Sequence, residues 1–390
     1  MSGTHEPGRP EGFATKSVHA GEASDPLTGA HGVPIYQATT FDLRTWDNFE
    51  AFWAGDESVY GYSRDLNPTV RHLEQKMAAI EGAEDSVALA SGMAAISTTL
   101  LAMGGGAHAI IANEIYNTAN KFVNEDLPVH GMRMTRVDMS DFAAVEAAIE
   151  PDTKLIYTEV VSNPSLIVAD IPALATIAKR HGLLLIIDNT FLSPATFRPL
   201  EHGADLVIHS ATKYLSGHGN VLGGVVSGRK ELTSRIRTKS LRLGGTLSAF
   251  GAWLIMTGIR TLPLRIARHS ENALAVARFL ATHPGVSELR YPGLPDDRGH
   301  STAARLFGEE HGYGGMVSLR LHGGEAAMAC MAEHLRLIAF ATSLGDTASL
   351  AWPIYKTDVL RLSIGIEDPE DIIADLDQAL VAVRAAGFGA

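Results

Sequence analysis

Six short apolar runs, at residues 86–90, 108–112, 155–160, 183–187, 205–208 and 222–226, recur along the chain with helix-spaced segments between several of them, at 92–103, 140–149 and 171–181. Apolar runs of strand length that alternate with helices call for an α/β unit built on a mostly parallel sheet. Ahead of them, residues 68–80 place Val70, Leu73, Met77 and Ile80 at helical intervals, with Pro68 in the first turn and Gly82 as the stop.

The pattern changes near Gly258. A long helix is predicted over 270–280, a turn at His283-Pro-Gly-Val286, then strand 316–321, helix 325–335, strand 361–366 and helix 370–385. This describes a smaller C-terminal α/β domain packed on the first. With 390 residues, 46% of them hydrophobic and 19% charged, the chain can bury two or three packed units. The expected organisation is an N-terminal arm over 1–60, a ligand-binding domain over 61–257 and a C-terminal domain over 258–390.

The charge balance excludes some functions. Net charge is −12 and the 32 Lys and Arg residues form no basic run, which argues against nucleic acid. The longest apolar stretches fall well short of the roughly 18 residues a membrane span needs. A single cysteine, Cys330, can form neither an internal disulfide nor a cysteine metal cage, and fits a reducing compartment. The first 14 residues lack the apolar centre of a secretory signal and read as a frayed tail, so a cytoplasmic protein without a metal site is expected.

Four segments carry chemistry. His209-Ser-Ala-Thr-Lys-Tyr-Leu-Ser-Gly-His218 places Lys213 after a strand among hydroxyl residues. A lysine amine there can form an imine with an aldehyde cofactor, and Ser210 and Thr212 can bind a phosphate. Taken alone, the segment also describes an ordinary surface lysine. Asp188 emerges at the carboxyl end of run 183–187, where open α/β sheets bind ligands. Beside a pyridine nitrogen it would keep the ring protonated; a magnesium-nucleotide site would instead need GxxxxGK[ST], which is absent. Ser91-Gly92-Met93 joins a strand to a helix and offers free N–H groups to an anion, although such a turn is also a common cap. Tyr60-Gly-Tyr-Ser-Arg64 supplies a guanidinium and the Tyr62 hydroxyl, suited to phosphate or to an amphipathic loop resting on the core.

Taken in order, YSRDLNPT, ASGMAAI, DNTFLSP and HSATKYLSGH resemble the transsulfuration family of enzymes that use pyridoxal 5′-phosphate (PLP). Its members include cystathionine β- and γ-lyases, cystathionine γ-synthase, methionine γ-lyase and O-acylhomoserine sulfhydrylases. The likeness runs from SVHAG at Ser17 and PIYQATTF at Pro34 to RLSIGIEDPEDIIADL at Arg361. It implies the aspartate-aminotransferase-like fold (fold type I). It also implies that Lys213 is the Schiff-base lysine and proton shuttle, and that Asp188 pairs with the pyridinium nitrogen. Gly92, Met93, Ser210 and Thr212 would hold the phosphate from one subunit, with Tyr62 and Arg64 reaching it from the neighbour. A homodimer with shared sites, assembled into a homotetramer, follows from that sharing. Tyr116 would stack on the ring and serve as acid or base, Asn163 would contact the ring oxygen and the substrate, and Arg361 would clamp the substrate α-carboxylate with Ser343 beside it.

The departures from the family pattern concern the substrate. Tyr116-Asn-Thr-Ala119 replaces YGGT or YGCT, Glu159-Val-Val-Ser-Asn163 replaces an ESP or ETP sequence, and Gly217-His-Gly-Asn220 replaces GHSD or GHGD. Ala348 stands where many γ-acting members carry a glutamate, which argues against cystathionine. Trp352-Pro-Ile-Tyr-Lys-Thr-Asp358 shortens the stretch before Arg361, so a reshaped substrate entrance is expected. The resemblance implies elimination or replacement at the side chain of an L-amino acid. Likeness to methionine γ-lyase around Ser343-Leu-Gly-Asp346 favours γ- over β-chemistry, and the altered rim suggests a leaving group other than a thiol, such as an acyl group or halide. Alternatives are a β-eliminating C–S lyase, a catalytically silent binding protein on the same fold, and a nicotinamide dehydrogenase, which lacks its GxGxxG turn here.

Overall fold

The computed structural model describes residues 11–388. Seven strands form the larger sheet: β1 (Asp85–Leu89), β2 (His108–Ala112), β3 (Arg133–Val137), β4 (Thr153–Glu159), β5 (Leu184–Asp188), β6 (Leu206–His209) and β7 (Gly224–Gly228). Their order is β1-β7-β6-β5-β4-β2-β3, which puts β5 at the centre. Four of the pairings are parallel, and β7 alone runs antiparallel, to both β6 and β1. The mostly parallel expectation holds, and β1, β2, β6 and β7 are buried along their whole length, as strands covered on both faces must be.

Five strands form the smaller sheet: β8 (Val286–Arg290), β9 (Met316–Leu321), β10 (Ala339–Phe340), β11 (Leu350–Pro353) and β12 (Leu360–Ser363). Their order is β10-β11-β12-β9-β8, antiparallel except between β10 and β11. The predicted turn at 283–286 is present, closed by Val286 N–H on the His283 carbonyl oxygen at 3.1 Å, and it leads into β8. The shortened stretch before Arg361 becomes a tight hairpin between β11 and β12, with Ile354 N–H donating to the Val359 carbonyl oxygen at 2.9 Å.

Each sheet has its own apolar core, and the helix Leu262–Ala281 belongs to both. Leu262 and Ile266 pack in the larger core, while Ala273, Val276, Ala277 and Leu280 pack in the smaller. The helix Pro68–Glu81 begins as its sequence predicts, with Asn67 Oδ1 accepting Thr69 N–H at 2.9 Å, and ends at Gly82 in the left-handed conformation (φ +70°).

The frayed tail expected over the first 14 residues needs correction at its end. Residues 1–10 lie outside the described residues, but a helix already runs from Phe13 to His19, and Phe13 packs on the larger core beneath Arg198. Buried Lys76 anchors this helix by donating to the Ser17 carbonyl oxygen at 2.8 Å and pairing with Glu22 at 2.9 Å. Among the described residues no helix is long and apolar enough to cross a membrane.

Candidate active site

A cavity of about 280 Å³ opens at the carboxyl ends of the central strands, the place where open α/β sheets bind ligands. It gathers Gly92, Met93, Tyr116, Asn163, Asp188, Ser210, Thr212, Lys213, Ser343 and Arg361, ten of the twelve residues singled out above. The other two, Tyr62 and Arg64, are exposed and line no part of their own chain's cavity; the Arg64 guanidinium lies 5.2 Å over the Tyr62 ring.

One wall is the start of the helix Gly92–Gly104, where Ser91 Oγ accepts Ala94 N–H at 3.1 Å. Glycine at position 92 is a packing requirement: a Cβ there would stand 2.7 Å from Ser210 Oγ. The Gly92 and Met93 amides and the Ser210 hydroxyl are thereby brought together at a helix N-terminus, which suits a phosphate. The Thr212 hydroxyl is engaged with Gly223, accepting its N–H at 3.0 Å and donating to its carbonyl oxygen at 3.2 Å.

Asp188 ends β5 at the cavity floor. Its Oδ1 accepts Thr190 N–H at 2.9 Å, and Thr190 Oγ1 in turn accepts Ser210 N–H at 2.9 Å. Burial pushes the Asp188 carboxyl up, while its hydrogen bonds with Thr190 and the nearby His209 hold it down. Glu159 ends β4 in direct register with Asp188, and burial and that neighbour push its carboxyl well up.

Lys213 Nζ donates to Ser343 Oγ at 2.6 Å, and burial, with Arg361 nearby, lowers its pKa to about 8. A neutral amine is the nucleophilic form. Arg361 in β12 is only 6% exposed and donates to Asn163 Oδ1 at 2.9 Å and to the Ser343 carbonyl oxygen at 3.1 Å. Its guanidinium lies 6.0 Å from the Phe191 ring centre and makes no ion pair with a carboxylate among the described residues. The ordinary ion pair that would give a strand-end arginine a purely structural role is therefore missing.

Sequence reasoning passed over Thr190, which lay inside the DNTF motif, and Phe191. It noted Glu159 only as part of an altered segment. Ala348 is exposed and lies outside the cavity lining, as do Asn117, Thr118 and Asn220, so these departures sit at the surface around the site.

An amine of lowered pKa, a sheet-end carboxylate and a helix-start anion site, arranged around one cavity, match the aldehyde, pyridine and phosphate of PLP and define a PLP enzyme. The chain belongs to the Cys/Met metabolism PLP-dependent enzyme family, whose pattern matches residues 14–357, and PLP is its cofactor. It is 41% identical to an L-methionine gamma-lyase of Pseudomonas putida, over 95% of this chain and 98% of that one. It is 40% identical to a canavanine gamma-lyase of Rhizobium leguminosarum bv. trifolii, over 94% and 96%. The crystal structure of a cystathionine gamma-lyase from Lactobacillus plantarum complexed with L-serine superposes with a TM-score of 0.89 at 37% identity, covering 96% of this chain and 100% of that one.

Proposed function

We propose that this enzyme removes the Cα proton of an L-amino acid and then eliminates or exchanges a substituent at Cγ. The observation that carries this reading is the unpaired, buried Arg361 set beside Ser343, which also receives the Lys213 ammonium. A guanidinium fork without an anion of its own fits an α-carboxylate, and it would seat Cα near an amine able to move protons. PLP, when bound, supplies the electron sink for charge developing at Cα. Lys213 takes the Cα proton and hands it on to the cofactor side, which frees the amine to take a second proton from Cβ, as a γ-leaving group requires. Tyr116 serves as acid or base on the other side, and Asp188 holds the ring nitrogen's charge.

Relatives of nearly equal identity are named for γ-lyase activity on methionine and on canavanine, so overall likeness favours γ-chemistry without selecting a leaving group. The exposed changes at Ala348 and Asn117-Thr118 and the tight hairpin before Arg361 favour one other than a thiol, such as an acyl group or halide. Tyr62 and Arg64, exposed and outside the lining of their own cavity, would complete the phosphate site of a second subunit, giving a dimer with shared sites and a tetramer of two such dimers.

A panel of β- and γ-substituted amino acids tests the reading, with 2-oxoacid and leaving group followed together. Release of 2-oxobutanoate from O-acyl- or γ-halo-substituted homologues is expected. Pyruvate from β-substituted substrates at a higher kcat/KM would overturn it.

A further inference from the structure

Tyr116 and Asn163 approach the cavity from separate loops, and a single side chain touches the backbone of both. Glu159 Oε1 accepts Tyr116 N–H at 2.7 Å, and Oε2 accepts Asn163 N–H at 3.1 Å. Tyr116 precedes the helix Asn117–Lys121 without a side-chain cap, so Glu159 satisfies one of the amides this helix start leaves open. Asn163 passes the constraint on, because its Oδ1 accepts from Arg361 at 2.9 Å, and Arg361 reaches Ser343 and through it Lys213.

We propose that Glu159 is a positioning residue for the reaction: one buried carboxylate, fixed at the end of β4, that sets the spacing between the Tyr116 face and the Asn163–Arg361 clamp. The inference rests on the cofactor and substrate roles proposed above for those residues. Its chemistry is specific to a carboxylate. Both oxygens accept N–H groups, and these two hydrogen bonds favour the ionised form against burial and Asp188, which push the carboxyl up. A glutamine fills the same volume but must turn its NH₂ toward one of the two donors, and so releases one loop. An aspartate keeps the charge and both acceptors but is one methylene short.

The test uses full-length enzyme loaded with PLP, comparing wild type, Glu159→Gln and Glu159→Asp. Visible circular dichroism per bound PLP reports how firmly the ring is held, and the dissociation constant of glycine, read from the cofactor's visible band, reports the clamp. The glutamine variant should keep wild-type far-UV dichroism and PLP content, lose roughly half of the visible dichroism and bind glycine about tenfold more weakly. Adding Arg361→Ala should weaken glycine binding no further than Arg361→Ala alone, because both changes act on one chain of contacts. Wild-type dichroism and glycine affinity in Glu159→Gln, or fully additive losses in the double variant, would overturn the proposal. Should the glutamine variant not fold, wild-type values in Glu159→Asp would do the same. A wild-type protein that takes up no PLP would instead sink the site assignment itself.

Discussion

Lys213 Nζ stands 2.6 Å from Ser343 Oγ, and Ser343 holds that position with a backbone φ of +96°, a region L-residues other than glycine rarely enter. Its carbonyl oxygen is also bound by Arg361. One strained residue thus lies between the amine and the guanidinium, and strain of this kind costs about 1–3 kcal/mol.

Replacing Ser343 by glycine separates the strain from the chemistry. Glycine adopts the angle freely, and its own entropy cost of about 0.5–1 kcal/mol is no larger than the relief. The midpoint of thermal unfolding should be no lower than in wild type, while kcat/KM falls about tenfold with loss of the hydroxyl. A clear loss of thermal stability would show that φ +96° carries no strain.

The lowered Lys213 pKa makes a pH prediction with a definite sign. An amine with a pKa of about 8 is charged below that value and neutral above it. PLP uptake by the cofactor-free protein should therefore quicken roughly tenfold per pH unit up to about 8 and level off above. At pH 7 roughly one amine in ten is neutral. Uptake that keeps climbing toward pH 10 would place the lysine at its ordinary value. Lys213→Ala should bind PLP without the imine's visible band.

Arg361→Ala removes a buried charged donor, an interaction worth about 1.5–3 kcal/mol. KM for substrates with a free carboxylate should rise roughly 10- to 150-fold, with α-amides little affected. Arg361→Lys should not restore binding, since one ammonium cannot span Asn163, Ser343 and a carboxylate as the fork does. Equal responses from amides and free acids would remove the clamp.

Shared sites can be tested by mixing. Arg64→Ala and Lys213→Ala proteins, each inactive, should regain roughly a quarter of wild-type activity when unfolded and refolded together, since half the dimers are then mixed and each carries one intact site. No recovery would place Arg64 outside the neighbouring site.

The elements most legible in the sequence were those whose apolar pattern matched their burial. Strands 108–112 and 316–321 and the helix Ile171–His181 fall at their predicted bounds. β3 escaped because an edge strand with Arg133 and Arg136 has no apolar run, being mostly half-exposed. The last run of the large sheet shifted from 222–226 to Gly224–Gly228: Leu222 is exposed and lines the cavity, while Ser227 is buried by hydrogen bonding to Ser86 at 2.8 Å. Most of the cavity lining was legible because residues such as Gly92, Met93, Asp188, Ser210, Thr212 and Lys213 fall in contiguous motifs. Glu159 was not, because its partners are backbone amides, which carry no signature in the identity of the residues that own them.

The helix Leu262–Ala281 gives this architecture a mechanical character. Twenty residues of α-helix make a rod about 30 Å long, pegged by Leu262 and Ile266 into one core and by Val276 and Leu280 into the other. The first core includes Leu206 and Ile208 of β6, the strand that leads to Lys213, and the second includes Leu360 and Leu362 of β12, which carries Arg361, so this dowel ties together the two sheets that supply the cavity. Loosening either end would let the two sheets shift against each other before it melted either core.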